Sequence, residues 1–138
     1  MAPDGSFVIV WQSANDEPSS EGIEIIAQRY DSTGTQVGGP FRANTFQTGN
    51  QHLPRMSMDH LGNVVIVWRC SSRQAIIAQR YNAVGGTVGN EFQVNTYTTN
   101  NQENPTLAAD AMLQQRLLVN NPREVSEADA LAIYQAAY

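Results

Sequence analysis

The sequence contains no lysine, and all eight of its basic residues are arginine. Thirteen acidic residues outnumber them and give a formal net charge of -5 at pH 7. Nucleic-acid binding draws much of its affinity from clustered Lys and Arg side chains that neutralise phosphates. The composition therefore argues against a nucleic-acid partner and favours a chain with an acidic surface.

Cysteine and histidine are also scarce, since Cys70 is the single cysteine and His52 and His60 are the two histidines. One cysteine excludes an intramolecular disulfide and leaves no second thiolate for a zinc site. The sequence also lacks a G-x-S-x-G nucleophile elbow, a phosphate-binding glycine loop and an H-E-x-x-H metal motif. We therefore expect a non-enzymatic protein with no cofactor and no bound metal ion.

Long apolar runs are missing as well. No stretch approaches the roughly 20 apolar residues that a membrane helix needs, so we expect no membrane span. Residues Met1 to Val10 predict a turn followed by a strand, without the basic flank and apolar run of a signal peptide. The sequence by itself leaves the localisation of the protein open.

What the sequence does contain is an internal repeat. Ala27-Gln28-Arg29-Tyr30 returns 51 residues later as Ala78-Gln79-Arg80-Tyr81. Further pairs at the same spacing are Gly34 and Gly85, Val37 and Val88, Gly38 and Gly89, Phe41 and Phe92, Asn44 and Asn95, Thr45 and Thr96, Thr48 and Thr99, Asn50 and Asn101, Gln51 and Gln102, Pro54 and Pro105, and Asp59 and Asp110. A gapless series of this length indicates two copies of one structural unit.

Upstream of this series the two copies differ by an insertion. Phe7 to Trp11 matches Val64 to Trp68 at a spacing of 57, so the first copy carries six extra residues. They lie within the polar stretch from Ser13 to Gly22, which predicts an exposed hairpin loop. The acidic residues Asp16, Glu17 and Glu21 lie in this stretch, and Glu24 follows it closely. Without an Asp-x-Asp-x-Asp-Gly pattern, however, they favour a solvated loop over a calcium site.

The repeat divides the chain. We expect two tandem β repeats in residues 1–110, at about 4–59 and 60–110, with strands permuted across the boundary. A third copy begins near Asn104 and then fails. Residues 111–138 predict a degenerate strand at Leu117 to Val119, followed by a C-terminal helix that Ser126 caps and that fills Ala128 to Tyr138.

Each copy predicts a four-stranded antiparallel meander. Val64 to Trp68 is apolar at every position, a pattern typical of a strand covered on both faces. Ile25 to Tyr30 and Ile76 to Tyr81 predict the second strand, Phe41 to Phe46 and Phe92 to Tyr97 the third, and Met56 to Met58 and Leu107 to Ala109 a short fourth. Tight turns led by Asp31 or Asn82 and closed by Gly34 or Gly85 connect the second strand to the third.

These features predict an all-β fold with two β-propeller-like four-stranded antiparallel blades per chain and a short C-terminal helix. The alternative is a β-sandwich, in which two sheets face each other within one chain or across a dimer. Two blades cannot close a ring and would expose strand edges and apolar faces. We therefore expect a homo-oligomer, either a trimer that closes a six-bladed ring or a dimer.

The residues of the repeat resemble a known family. Segments 4–13, 26–34 and 91–99 are similar to repeats of large secreted or surface-displayed bacterial proteins of the adhesin-like or RTX type. The resemblance covers residues 2–110. It implies a structural or display module without a catalytic centre, in a secreted or cell-surface protein. In that family the loop after the Trp-Gln-Ser segment is rich in Asp and Gly, whereas here Ala14 to Gly22 is not.

Two recurring residue pairs are the candidate ligand-binding residues. Trp11 and Trp68 occupy equivalent strand ends, and Arg29 and Arg80 lie on the neighbouring strand. Trp and Arg pockets between blades bind sugars by ring stacking and hydrogen bonds. The alternative is that each Trp fills the interface between blades while each Arg satisfies main-chain carbonyls or a nearby carboxylate. The first function hypothesis is thus a non-enzymatic, self-associating structural or interaction module, and the alternative is a carbohydrate-binding, lectin-like module for a glycan.

Overall fold

A computed structural model describes residues 1–14, 22–96 and 105 of the chain. All regular elements in that part are β-strands: β1 Phe7–Ala14, β2 Ile23–Tyr30, β3 Gln36–Arg42, β4 Gln51–Met58, β5 Val64–Cys70, β6 Ala75–Tyr81 and β7 Phe92–Gln93. The all-β class is confirmed. The predicted C-terminal strand and helix in 111–138, and most of the predicted loop after Ser13, lie outside the described residues. Within the described ranges, no helix is long and apolar enough to cross a membrane.

The strands form two antiparallel sheets: the first has the order β1-β2-β3, and the second has the order β4-β5-β6-β7. β4 contains the predicted fourth strand of the first copy, Met56 to Met58, but it pairs with β5 of the second copy. The prediction of one four-stranded meander per copy is therefore wrong for the first copy, whose sheet has three strands. The predicted fourth strand of the second copy, 107–109, lies outside the described residues. Equivalent strands of the two copies pair in the same register, since Trp11 lies opposite Ile26 and Trp68 lies opposite Ile77. The sequence repeat is therefore a repeat of strand pairing as well.

The predicted turns between the second and third strand of each copy are confirmed. The N–H of Gly34 donates to the carbonyl of Asp31 at 3.1 Å, and the N–H of Gly85 donates to the carbonyl of Asn82 at 3.0 Å. Both glycines have a positive φ, +84° and +96° respectively. Only glycine adopts this conformation without steric cost, which explains why it recurs.

The recurring asparagines end the third strand. The Oδ1 atom of Asn44 accepts a hydrogen bond from the N–H of Ile25 at 2.8 Å, and Asn95 does the same for Ile76 at 2.7 Å. A side-chain amide oxygen thus takes the place of a main-chain carbonyl, and the main-chain hydrogen bonds between the second and third strands end there. The predicted bounds of the third strand, 41–46, are wrong at both ends, since β3 runs from Gln36 to Arg42. The asparagine accounts for the earlier end.

The two sheets face each other across one apolar core. Buried residues of both sheets share it: Val8, Ile25, Ala27, Ala43, Val64, Ile66, Trp68, Cys70, Ala75, Ile77 and Tyr81. Val65, Val67, Ile76 and Ala78 form a second buried cluster on the far side of the second sheet. The prediction that the strand Val64 to Trp68 is covered on both faces is therefore confirmed, because all five residues are buried.

The sheets are stacked in one orientation. Successive side chains along a strand point to opposite faces of its sheet. We call one face the Trp face; it carries Ile9 and Trp11 in the first sheet and Ile66 and Trp68 in the second. The opposite face is the Val face, which carries Val8 in the first sheet and Val65 in the second. Val8 belongs to the shared core together with Trp68. The Val face of the first sheet therefore covers the Trp face of the second.

Candidate interaction surface

Trp68, one of the predicted ligand-binding residues, lies inside the core between the sheets. Its relative exposure is 0%, and its indole N–H donates to the Oε1 atom of Gln51 at 3.1 Å. Gln51 itself is 1% exposed, so both polar groups are paired where water is excluded. Here the tryptophan of the repeat packs between two sheets.

Trp11, the equivalent of Trp68 in the first copy, has a different environment. It is 37% exposed, and Ile9 on the same face of the sheet is 47% exposed. Phe7 stacks on Tyr30 beside them, with ring centroids 5.0 Å apart. The same sequence pattern thus gives a buried Trp face in the second sheet and an open one in the first. This open Trp face is an apolar surface suited to packing against another protein element.

Arg29 of the first sheet contacts the second sheet at the turn from Asn82 to Gly85. Its Nη1 atom donates to the carbonyl of Ala83 and its Nη2 atom to the carbonyl of Asn82, each at 3.0 Å. A Cβ atom on Gly85 would lie 3.0 Å from the Nε atom of Arg29, so the guanidinium sits directly against that turn. Burial lowers the pKa of Arg29, since desolvation disfavours the charged form.

Arg80, the equivalent of Arg29, is exposed on the Val face of the second sheet. Its guanidinium carbon lies 5.9 Å from the centroid of the Phe92 ring. Arg29 pairs with Val8 and Arg80 pairs with Val65, so each arginine lies on the opposite face of its sheet from the tryptophan of the same copy. The structure therefore does not bring Trp11, Trp68, Arg29 and Arg80 into one pocket.

A cleft of about 370 Å³ lies next to Arg29. Its lining includes Asp4, Asp31 and His60. The two carboxylates, Asp4 and Asp31, accept hydrogen bonds within turns. Asp4 accepts from the N–H of Ser6 at 2.9 Å, a hydrogen bond that lowers its pKa. Asp31 accepts from the side chain and main chain of Thr33, and the side-chain bond lowers its pKa most.

A buried carboxylate lies near the start of β2. Glu24 is 2% exposed, and its Oε2 atom accepts a hydrogen bond from Asn44, with the Nε atom of Arg42 at 3.8 Å. The other acidic residues of the predicted loop, 16, 17 and 21, lie outside the described residues. Among the described residues, no group of three or more His, Cys, Asp or Glu side chains could hold a metal ion.

Glu91 forms a contact between the copies that sequence reasoning missed. Its Oε2 atom accepts from the N–H and the hydroxyl of Thr45 at 2.8 and 2.9 Å, and its Oε1 atom lies 3.4 Å from Arg73. The guanidinium carbon of Arg73 lies 3.7 Å from the centroid of the Phe46 ring. Glu91 and Arg73 do not recur in the first copy, where Pro40 and Gly22 stand instead. A search for recurring residues therefore gave no signal for them.

No family model, curated protein or solved structure matches the chain. The candidate interaction surface is therefore chosen from the burial and contacts of the chain's own residues. Among the described residues, these criteria single out the open Trp face, because the equivalent face of the second sheet is buried.

Proposed function

We propose that this chain is a non-enzymatic structural or interaction module that self-associates through its sheet faces. The observation that carries the proposal is the contrast between Trp11, which is 37% exposed, and its repeat equivalent Trp68, which is 0% exposed. An apolar sheet face that is covered in one copy and open in the other is a surface at which association buries apolar area.

The proposal includes a finer description of the fold. Two sheets that stack with one orientation, Trp face on Val face, fit consecutive β-propeller-like blades. The four-stranded order of the second sheet supports this description. In the alternative, a β-sandwich, the pair of sheets is complete in itself. A trimer of two-bladed chains would close a six-bladed ring, and a dimer is the smaller assembly.

Sedimentation velocity, with light scattering after size exclusion, tests self-association. The chain has a mass of 15.1 kDa. We expect a larger particle whose mass is a whole multiple of this value and whose population grows with concentration. A monomer throughout the micromolar range would contradict the proposal.

The second candidate function is carbohydrate binding, and the observation that favours it is the exposed indole of Trp11. Exposed aromatic rings stack on the apolar faces of sugars. A glycan array probed with the wild type, Trp11→Ala and Val84→Ala tests it, since Val84 is 89% exposed in a turn. Binding that is lost only in Trp11→Ala would favour this function, and no binding by the wild type would end it.

A further inference from the structure

The outer edge of β1 distinguishes the first sheet from the second. β1 is equivalent to β5, since Phe7 to Trp11 recurs as Val64 to Trp68. In the second sheet β5 lies between β4 and β6, whereas β1 has β2 as its one neighbour among the described strands. The edge of β1 that corresponds to the edge paired by β4 therefore presents main-chain N–H and C=O groups that no described strand takes up.

The exposure of the two strands differs in the same way. β5 is buried at every position except Arg69, which is half-buried. In β1, Ile9, Trp11, Gln12 and Ala14 are exposed. Ile9 and Trp11 lie on one face of the sheet, and Gln12 and Ala14 lie on the other. Because the exposed residues come from both faces, the opening lies at the edge of the strand and not on the Trp face alone.

The other edge strands carry features that hinder pairing with a further strand. β3 contains Pro40, which has no N–H to donate. In β4, Leu53 has a φ of +52°, Pro54 follows it, and the pairing register shifts between His52 and Arg55. β7 has two residues. Proline, bulges and short length are the devices by which sheet edges avoid association.

β1 carries none of these devices. Phe7–Ala14 is eight residues long and contains no charged residue, no proline and no glycine. The chain has a formal net charge of -5, yet two copies of this strand can meet without placing carboxylates opposite each other. Among the edge strands that the structure describes, β1 is the one suited to add a strand.

We propose that β1 pairs edge to edge, and antiparallel, with β1 of a second copy of this chain. The first sheets of the two copies then join into one continuous sheet. The partner strand is β1 because the other described edges of the second copy are hindered by proline, a bulge or short length. This inference rests on the proposed self-association and names the strand at which two copies meet.

Symmetry fixes how the faces meet. Two identical strands that pair antiparallel are related by a twofold axis perpendicular to the sheet, so the Trp faces of both copies continue into each other. The registers that pair almost the whole of β1 place this axis at Val10 or at Trp11. In either register, Trp11 of one copy lies opposite or diagonal to Trp11 of the other, where cross-strand side chains touch. Pairing therefore satisfies main-chain groups and covers apolar side chains together.

Amide hydrogen exchange, followed by NMR at each residue, tests the edge directly. Alternate amides of β1 face β2, and the others face the free edge. In the oligomer, the edge-facing amides should exchange at least about tenfold more slowly than at dilutions at which the chain is a monomer, because they gain acceptors. Amides at the outer edge of β3 should exchange alike in both states. An oligomer in which the edge-facing amides of β1 exchange as in the monomer would overturn the inference.

Charged variants of Trp11 test whether β1 pairs with its own copy. Trp11→Lys and Trp11→Glu each place like charges on neighbouring strands, so the dissociation constant of each alone should rise by at least about tenfold. Their equimolar mixture should form mixed dimers, because opposite charges then lie across the twofold axis. Val84→Lys and Val84→Glu are the matched controls, since Val84 is 89% exposed in a turn, and they should associate like the wild type. A mixture that associates as weakly as the separate Trp11 variants would overturn the pairing of β1 with β1.

The outcomes separate this inference from the proposed function. A monomeric wild type would overturn both. An oligomer that leaves the edge-facing amides of β1 unprotected would overturn only the edge pairing. Slow exchange of those amides in the monomer would also overturn it, because a segment of the same chain would then occupy the edge. Trp68 is 0% exposed and is the remaining tryptophan in both Trp11 variants, so its fluorescence reports whether they are folded.

Discussion

The hydroxyl of Tyr81 donates a hydrogen bond to the main-chain carbonyl of Ala43 at 3.1 Å and thereby ties the second sheet to the chain that leaves the first. The Tyr81 ring also packs on Phe41, with centroids 5.3 Å apart and planes tilted by 60°. Tyr81 is 4% exposed, so the bond forms where water does not compete. One side chain thus contributes both apolar packing and a polar link between the copies.

Tyr81 makes stability depend on pH in the alkaline range. Burial, with a smaller effect of Glu91, raises the pKa of Tyr81 from 10.0 to about 12. Below pH 10 the phenol is neutral in the folded and the unfolded chain, and its full contribution to stability is present. Between about pH 10 and pH 12 the unfolded chain loses the proton first, so the free energy of unfolding should fall as pH rises.

Urea titrations below pH 10 and near pH 11 measure this effect on the wild type and Tyr81→Phe. The variant should be less stable at the lower pH by about 1 to 3 kcal/mol, because the Ala43 carbonyl loses its donor. Its stability should fall less between the two pH values than that of the wild type. Tyr30→Phe is the matched control, and its free energy of unfolding should fall with pH as much as that of the wild type. A fall in Tyr30→Phe as small as that in Tyr81→Phe would contradict the assignment of the pH dependence to Tyr81.

The two tryptophans should respond very differently to the same substitution. Trp68→Phe removes a buried indole and its bond to Gln51, so we expect a loss of about 2 kcal/mol in the free energy of unfolding. At dilutions at which the chain is a monomer, Trp11→Phe should cost less than about 0.5 kcal/mol, because the Trp11 side chain is 37% exposed to water. At the same dilution, acrylamide should quench the fluorescence of Trp11, measured in Trp68→Phe, more than that of Trp68, measured in Trp11→Phe. Equal quenching would contradict the difference in burial.

Gly85 and Gly34 form a matched pair for the contact with Arg29. Alanine at either position adopts a left-handed conformation, at a similar cost of about 1 kcal/mol. Only Gly85→Ala also pushes on Arg29, which two hydrogen bonds hold in place. In dilute solution Gly85→Ala should therefore be less stable than Gly34→Ala by roughly a further 1 kcal/mol. The extra loss should disappear when both variants are made in an Arg29→Ala background.

Asn44 offers a test of the asparagine that ends the third strand. Its Oδ1 atom is the acceptor for the buried N–H of Ile25, so Asn44→Ala should lower the free energy of unfolding by about 1 to 3 kcal/mol. Asn50 accepts from the N–H of Ile23 at 3.1 Å in an exposed position, where water replaces it. Asn50→Ala should cost less than about 0.5 kcal/mol. Equal losses in chemical denaturation would show that burial is not the cause.

Strands and turns were largely predictable from sequence, because their causes are local. The apolar run from Val64 to Trp68 predicts a strand covered on both faces, and the glycines at 34 and 85 predict their turns. The bounds of the third strand were not predictable from propensity. Asn44 ends it through a hydrogen bond to Ile25, which is 19 residues away in sequence. Such a long-range bond leaves no local pattern.

The candidate surface was predictable only in part. Recurrence pointed to Trp11 and Arg29 but left open whether they bind a ligand or pack the sheets. The structure assigns Arg29 to the carbonyls of Asn82 and Ala83. The contacts of Glu91 with Thr45 lie outside the repeat pattern, so recurrence carried no information about them.

The amino-acid sequence is sufficient to show that the chain repeats one β unit, because recurrence at fixed spacing and alternation along a strand are properties of the chain alone. The burial of Trp68 and the exposure of Trp11, in contrast, are known only from the packing of the two sheets. The physical reason is that burial belongs to a pair of surfaces: the same residues in the same strand lie in a core or in water according to whether another sheet covers them.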